Sequence, residues 1–193
     1  MLVGIAHPLG WAVAVTATAA HEVVDRRRIE LVEPGMPPAP IHHEGGAHPM
    51  HRSGPPLDDE ALATLVAQVR ASAVRTTSTA LDALRAELPG AITSMSLRAW
   101  PDDFPEDLTV QRRVPYESRA DSVMYRRVLA QLARERGWAV HRYGGDVERE
   151  AAALLGDRVD EVLHGPRARL GAPWTKDHRT ALAATVLASS APG

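Results

Sequence analysis

The 193-residue chain has no cysteine, which excludes a disulfide framework, a thiolate zinc site, an iron–sulfur cluster and a cysteine nucleophile. Whatever chemistry the chain performs falls to histidine, carboxylate, hydroxyl and arginine side chains. Aromatic residues are scarce, with four Trp, three Tyr and one Phe. Thirty-two alanines fill out the 45% hydrophobic content, so the core must be built from small and aliphatic side chains that pack closely. Lysine is almost missing: Lys176 stands alone against 21 arginines. No folding requirement produces that imbalance, and a GC-rich genome does. An excess of charge is missing too. The formal net charge of -2 excludes a strongly basic nucleic-acid coat and an acidic disordered tail. The apolar residues 2–20 are interrupted by Gly4, His7, Pro8 and Gly10 and follow no basic residue, unlike a signal peptide or a membrane span. The expectation is a cytoplasmic protein without membrane attachment. There is also no Gly-x-x-x-x-Gly-Lys phosphate loop, no Gly-x-Gly-x-x-Gly, no His-Glu-x-x-His and no Gly-x-Ser-x-Gly. These absences disfavour nucleotide-triphosphate hydrolysis, dinucleotide redox chemistry and esterase work.

The length suits one domain over residues 1–193, because two domains would leave each with too small a core. Leu2-Val-Gly-Ile-Ala6 and Trp11-Ala-Val-Ala-Val-Thr-Ala17 read as strands around a His-Pro-Leu-Gly turn. Residues 21–31 extend this meander, as one bulged strand or as strand, turn and strand. Residues 34–56 hold seven of the fifteen prolines, four glycines and four histidines, and read as a long loop of the kind that is functional or mobile. Beyond Asp58-Asp59-Glu60, apolar residues from Leu62 to Leu88 recur at helical spacing. Thr76-Thr77-Ser78-Thr79 in their middle is expected to bend or break that helix. A strand follows over 92–97, then a helix opened by the capping-box spacing Ser118-Arg-Ala-Asp121 and stopped at Gly137. A strand over 138–143 and helices from Asp146, Asp157 and Thr175 complete the chain. The class is α/β: a five-stranded mixed sheet, with three antiparallel strands followed by alternating helix and strand, flanked by helices.

That order, with the opening Val3-Gly4-Ile5 and the Trp11-Ala-Val-Ala-Val strand, resembles the ribonuclease H-like superfamily, particularly its Holliday-junction-resolvase branch. The resemblance covers most of the chain by topology and a few residues by motif. It implies acids at the end of the first strand, the end of the fourth strand and the start of the last helix. Such acids hold a pair of divalent ions, Mg or Mn, about 4 Å apart for phosphodiester cleavage. This chain departs from the pattern where Ala6, followed by His7, takes the first aspartate's place. Asp102 and Asp103 lie a few residues past the second position, and Asp177-His178 fits the third.

Four groups of residues carry candidate chemistry. His7, Asp102 or Asp103, Asp177 and His178 are placed to meet at one end of the sheet, as a metal set (Asp102, Asp103, Asp177) or an acid–base set. Ordinary turn and cap chemistry accounts for the same residues. His42, His43, His48 and His51 share one loop, either as metal ligands or as a solvated segment. Arg112, Arg113, Arg119, Arg126, Arg127, Arg134, Arg136 and Arg142 face only Glu117, Asp121 and Glu135 within that stretch, a local net charge of +5 that suits a phosphate-bearing partner. Helical arginines also simply solvate a face, and no aromatic interleaving here marks a platform for single strands. Arg167, Arg169, Trp174, Lys176, His178 and Arg179 form a second basic cluster at the last helix's start.

The expected function is therefore a catalytically degenerate ribonuclease H-like protein. It binds nucleic acid or a protein partner through Arg112, Arg113, Arg119, Arg126, Arg127 and Arg179. The alternatives are a metal-dependent nuclease or hydrolase using His7, Asp102, Asp177 and His178, and a homodimeric interaction module built on the Ala-rich last helix or the long loop.

Overall fold

Leu2–Ala6, the first strand (β1), is apolar along its length and its last four residues are buried, as suits a strand covered on both faces. In the computed structural model, which describes residues 1–46 and 54–190, β1 is the centre of a five-stranded sheet. It pairs antiparallel with β2 (Trp11–Ala17), and β2 pairs antiparallel with β3 (Val23–Glu30). On its other side β1 runs parallel to β4 (Ser94–Arg98), which runs parallel to β5 (Ala139–Tyr143). The order is β3-β2-β1-β4-β5. Residues 21–31 supply one strand, with the irregularity in the β2–β3 ladder between Thr16 and Ala17.

Side-chain alternation gives the sheet two apolar faces. On one, Val3, Ile5, Ala12, Ala14, Met95 and Leu97 meet α1 (Asp59–Glu87) and α3 (Glu117–Glu135). On the other, Ala6, Val13, Val15 and Tyr143 meet α4 (Val147–Leu155) and α6 (Lys176–Ser189). The short helices α2 (Leu108–Gln111) and α5 (Pro166–Leu170) lie in the connections. The alanines have a specific use on the second face. A Cβ on Gly4 would stand 1.8 Å from the carbonyl oxygen of Ala181, so β1 and α6 touch backbone to backbone. The Ala-rich face of α6 is spent inside its own chain, which corrects the expectation that this helix docks a second copy.

Three expectations about helices are also revised. α1 is unbroken through Thr76–Thr79. Val69, Ala73, Leu81 and Leu84 are fully buried on either side of the threonines, and packing of a long amphipathic face outweighs a few tenths of a kcal/mol of propensity per residue. Asp58 caps that helix through the amide of Ala61 at 2.8 Å. The Ser118–Asp121 spacing does not cap α3, which begins at Glu117 without a side-chain cap. Asp121 is instead buried and accepts the amides of Ile41 and His42 at 3.0 and 2.9 Å. The first part of the long loop is correspondingly better ordered than its composition suggests. Pro40–Gly45 forms a helical turn with Pro40, Ile41 and Gly45 buried. His42 and His43 ride on that turn with ring centroids 5.3 Å apart, while His48 and His51 lie outside the described residues. Among the described residues, no helix is long and apolar enough to cross a membrane.

Candidate functional site

Parallel strands present their carboxyl ends at one edge, and here those ends are Ala6, Arg98 and Tyr143. The amino end of α6 arrives beside them because Ala181, one turn further on, lies against Gly4. Ala6 is 2% exposed and belongs to the apolar cluster of Val13, Tyr143 and Ala181. Tyr143 is the cross-strand partner of Arg98 and donates its hydroxyl to the Ile5 carbonyl at 2.9 Å. Burial pushes that phenol up to about 12, so it acts only as a neutral donor. No carboxylate stands at the ends of these three strands.

Cations stand there instead. Arg98, the last residue of β4, is exposed. Arg126 reaches the same strand end from α3, donating to the Ala99 carbonyl at 2.9 Å and to Ser122 Oγ at 2.6 Å. Burial, then the charges of Arg98 and Arg119, lower its pKa. The same three residues are therefore electrostatic neighbours. Asp177 also acts on this end of the sheet, through its charge on Tyr143.

The residues expected to form an acid or metal site are spread along that edge. His7 is exposed and stacks on Trp11, with ring centroids 4.5 Å apart. Asp102 has an 83% exposed side chain, ion-paired to Arg142 at 2.6 Å, which holds its carboxyl below the usual range. Asp103 is exposed. His178 is buried and closes a capping box at the start of α6: its Nδ1 accepts the Thr175 amide at 3.2 Å and lies 2.9 Å from the Thr175 hydroxyl. That bond fixes a neutral imidazole, and burial followed by the charge of Arg26 lowers its pKa. Trp174 is a core anchor, its indole donating to the Leu163 carbonyl at 2.8 Å. Among the described residues, no side-chain hydrogen bond joins any two of His7, Asp102, Asp177 and His178.

The basic stretch also divides. Arg112 donates to the carbonyls of Gly45 and Leu57 and pairs with Asp59, so it fastens the ends of the segment around residues 45–57. Arg127 pairs with Glu106 at 2.7 Å and also binds the Phe104 carbonyl. Arg136 ties α3 to Asp82 and Ser78 of α1. Arg142 pairs with Asp102 and lies 5.4 Å from the Trp100 ring, and Arg179 pairs with Glu148 at 3.1 Å. Arg113, Arg119 and Arg134 are exposed. Sequence reasoning missed Arg98, because only the pairing of β4 with β5 sets it beside Tyr143 and Arg126. Its position at the end of a strand beside the first was the available signal.

The fold is α/β, a mixed five-stranded sheet of order β3-β2-β1-β4-β5 with helices on both faces. The pair of divalent ions that the sequence resemblance implies does not fit the residues present. The first strand ends in a buried alanine and the fourth in an arginine. Among the described residues, no three His, Asp or Glu side chains are grouped so that they could hold a metal ion. No known protein family matches the chain, and no curated protein matches it. Among solved structures, T. thermophilus RuvC in complex with a Holliday junction substrate is similar in fold, with 14% identity over 96% of this chain and 89% of that one, at a TM-score of 0.48.

Proposed function

We propose that the protein binds nucleic acid by its phosphates, without metal-dependent cleavage, through the exposed Arg98 and Arg119 at the carboxyl ends of β4 and β5, beside the partly buried charge of Arg126. The observation that carries this reading is the exchange of charge at that edge. A buried Ala6 and an exposed Arg98 occupy the strand ends, and Arg126 and Arg119 bring further positive charge beside them. Guanidinium groups pair bidentately with phosphate oxygens and remain charged at any physiological pH. A phosphodiester at this edge meets donors that hold it and no carboxylate pair to activate a water against it. Arg112, Arg127 and Arg179 contribute through the folding contacts they make.

Fluorescence anisotropy with labelled duplex, branched and single-stranded DNA and RNA tests the reading. Binding is expected at low salt, with log K falling linearly against log salt concentration. Arg98→Ala and Arg119→Ala should each weaken binding of every probe and reduce the slope by about one. Added Mg or Mn should produce no cleaved strand on a denaturing gel. Failure of all probes to bind at low salt, or metal-dependent cleavage, would falsify the reading.

A further inference from the structure

Among the described residues His7 is one of two non-glycine residues with positive φ, at 54°, a left-handed conformation uncommon outside glycine, although histidine takes it more readily than most side chains. At His7 the conformation turns the chain between β1 and β2 and sets where the imidazole goes. The conformation lays the exposed imidazole on the half-buried Trp11 ring, at 4.5 Å between centroids and 39° between planes. From the neighbouring strand, the Arg28 guanidinium carbon stands 4.4 Å from the same indole, steadied by Glu30 at 2.7 Å. The β1–β2 turn and β3 thus build a column of three flat groups, imidazole, indole and guanidinium, with its two outer members exposed.

A groove of about 490 Å³ runs beside the column, and Trp11, Val13, Arg26, Thr175, Asp177 and His178 are among its lining residues. Its far wall is fixed. Arg26 donates to the carbonyls of Leu170 and Gly171 at 2.6 and 3.0 Å and also to that of Pro173, which holds the approach to α6. Asp177 makes no side-chain hydrogen bond among the described residues, so its carboxylate is available as an acceptor. The bond from Thr175 to His178 Nδ1 leaves the ring proton on Nε2. Flat cationic and aromatic faces beside an open carboxylate and an imidazole N–H match the faces and edges of a heterocyclic base. They do not match the outside of a duplex, whose base faces are covered.

Resting on the nucleic-acid reading above, we infer that the His7–Trp11–Arg28 column and its groove take an unpaired base, so the ligand class is single-stranded nucleic acid. Asp177 joins the two regions, lining the groove while its charge acts on Tyr143 beside Arg98. A strand whose phosphates lie on the Arg98, Arg119 and Arg126 edge therefore has a stacking platform within the same end of the molecule. The sequence offered no sign of this, since residues 7, 11 and 28 meet only across two strand pairings.

The test compares an unpaired oligonucleotide with the duplex of the same sequence, as DNA and as RNA, by anisotropy across a salt series. Base stacking on aromatic groups is expected to favour the unpaired form about tenfold or more. His7→Ala, at an exposed position, and Trp11→Leu, checked for native circular dichroism, should bring the ratio toward one while leaving the salt slope unchanged. Arg98→Ala should weaken both forms alike and lower the slope. Equal affinity for the two forms, or a ratio unmoved by His7→Ala and Trp11→Leu, overturns the base site while leaving the phosphate-binding edge standing. Binding of neither form overturns both.

Discussion

The Asp121 carboxylate, buried in α3, receives the backbone amide of Ile41 on one oxygen and that of His42 on the other. Eighty residues apart, the two segments are joined by a side chain standing in for the missing amide partners of a helical turn. Tyr125, one turn along, completes the attachment by donating its hydroxyl to the Pro38 carbonyl at 2.8 Å. Residues 38–42 are thereby fixed to the helix that also carries Arg119 and Arg126. Asp121→Ala would leave two buried amides unsatisfied and should cost about 2 kcal/mol in denaturant unfolding. Faster hydrogen exchange at Ile41 and His42 would accompany it.

The same carboxyl gives a pH dependence. Burial pushes Asp121 up to about 7, against the pull of its two amide donors. The native state then holds the proton more tightly than the unfolded chain does between about pH 4 and 7. The stabilisation is full below that window and is lost as pH rises through 7. Denaturant titrations at pH 5 and pH 8 should show the wild type losing more stability than Asp121→Asn. Equal losses for the two proteins would contradict the assignment.

His178 works in the opposite direction. Its pKa is lowered by burial and by Arg26, so the unfolded chain binds the proton more tightly. Its contribution is present above about pH 6.5, the ordinary histidine value, and fades as pH falls below it. Thermal unfolding should show the wild type weakening from pH 7.5 to pH 5. His178→Gln, which keeps a capping-box acceptor that does not titrate, should weaken less, and His178→Ala should lose about 1 kcal/mol at pH 7.5.

Gly4→Ala probes the contact between β1 and α6. The added Cβ would stand 1.8 Å from the Ala181 carbonyl oxygen, far inside van der Waals contact, and both segments lie in a fully buried core. A loss of at least about 3 kcal/mol is expected, read as a lowered denaturation midpoint or as insoluble protein. Gly35→Ala is the control for a change of glycine itself, because no atom lies within 4 Å of a Cβ there. Its positive φ of 87° limits the expected cost to about 1 kcal/mol.

Ala6→Asp restores the acid the fold's resemblance implies. It places a carboxylate among Val13, Tyr143 and Ala181, with Arg98 at the neighbouring strand end in place of a second acid. The variant should be less stable than the wild type and should gain neither Mn binding by calorimetry nor cleavage of any DNA. Acquisition of metal-dependent cleavage would show that the edge retains a latent metal geometry.

Much of the architecture was legible in local pattern. Short continuous apolar runs rich in β-formers marked β1 and β2, helical spacing marked α1, and the helix between two apolar strands made β4 and β5 parallel neighbours. Those inferences rest on backbone periodicity and connection handedness, which act over a few residues or one crossover. Where pattern failed, a distant partner had intervened. Asp121 has the spacing of a cap for its own helix and caps another segment. Thr76–Thr79 has the composition of a break and is carried through by Ala73 and Leu81 on either side. Arg112, Arg127 and Arg136 look like a surface charge and are tied to Asp59, Glu106 and Asp82.

By itself, then, the sequence determined the class of sheet, the exclusion of cysteine chemistry and the absence of an acid at Ala6, because each is a property of single positions or of short-range repeats. Only the tertiary structure decided which cations share an edge and which flat groups share a column. Arg98 with Arg126, and His7 with Trp11 and Arg28, meet through strand pairing and helix packing between residues far apart in the chain. The near-neutral total charge carries no trace of either grouping, since charge and stacking act through distance in space rather than position in sequence.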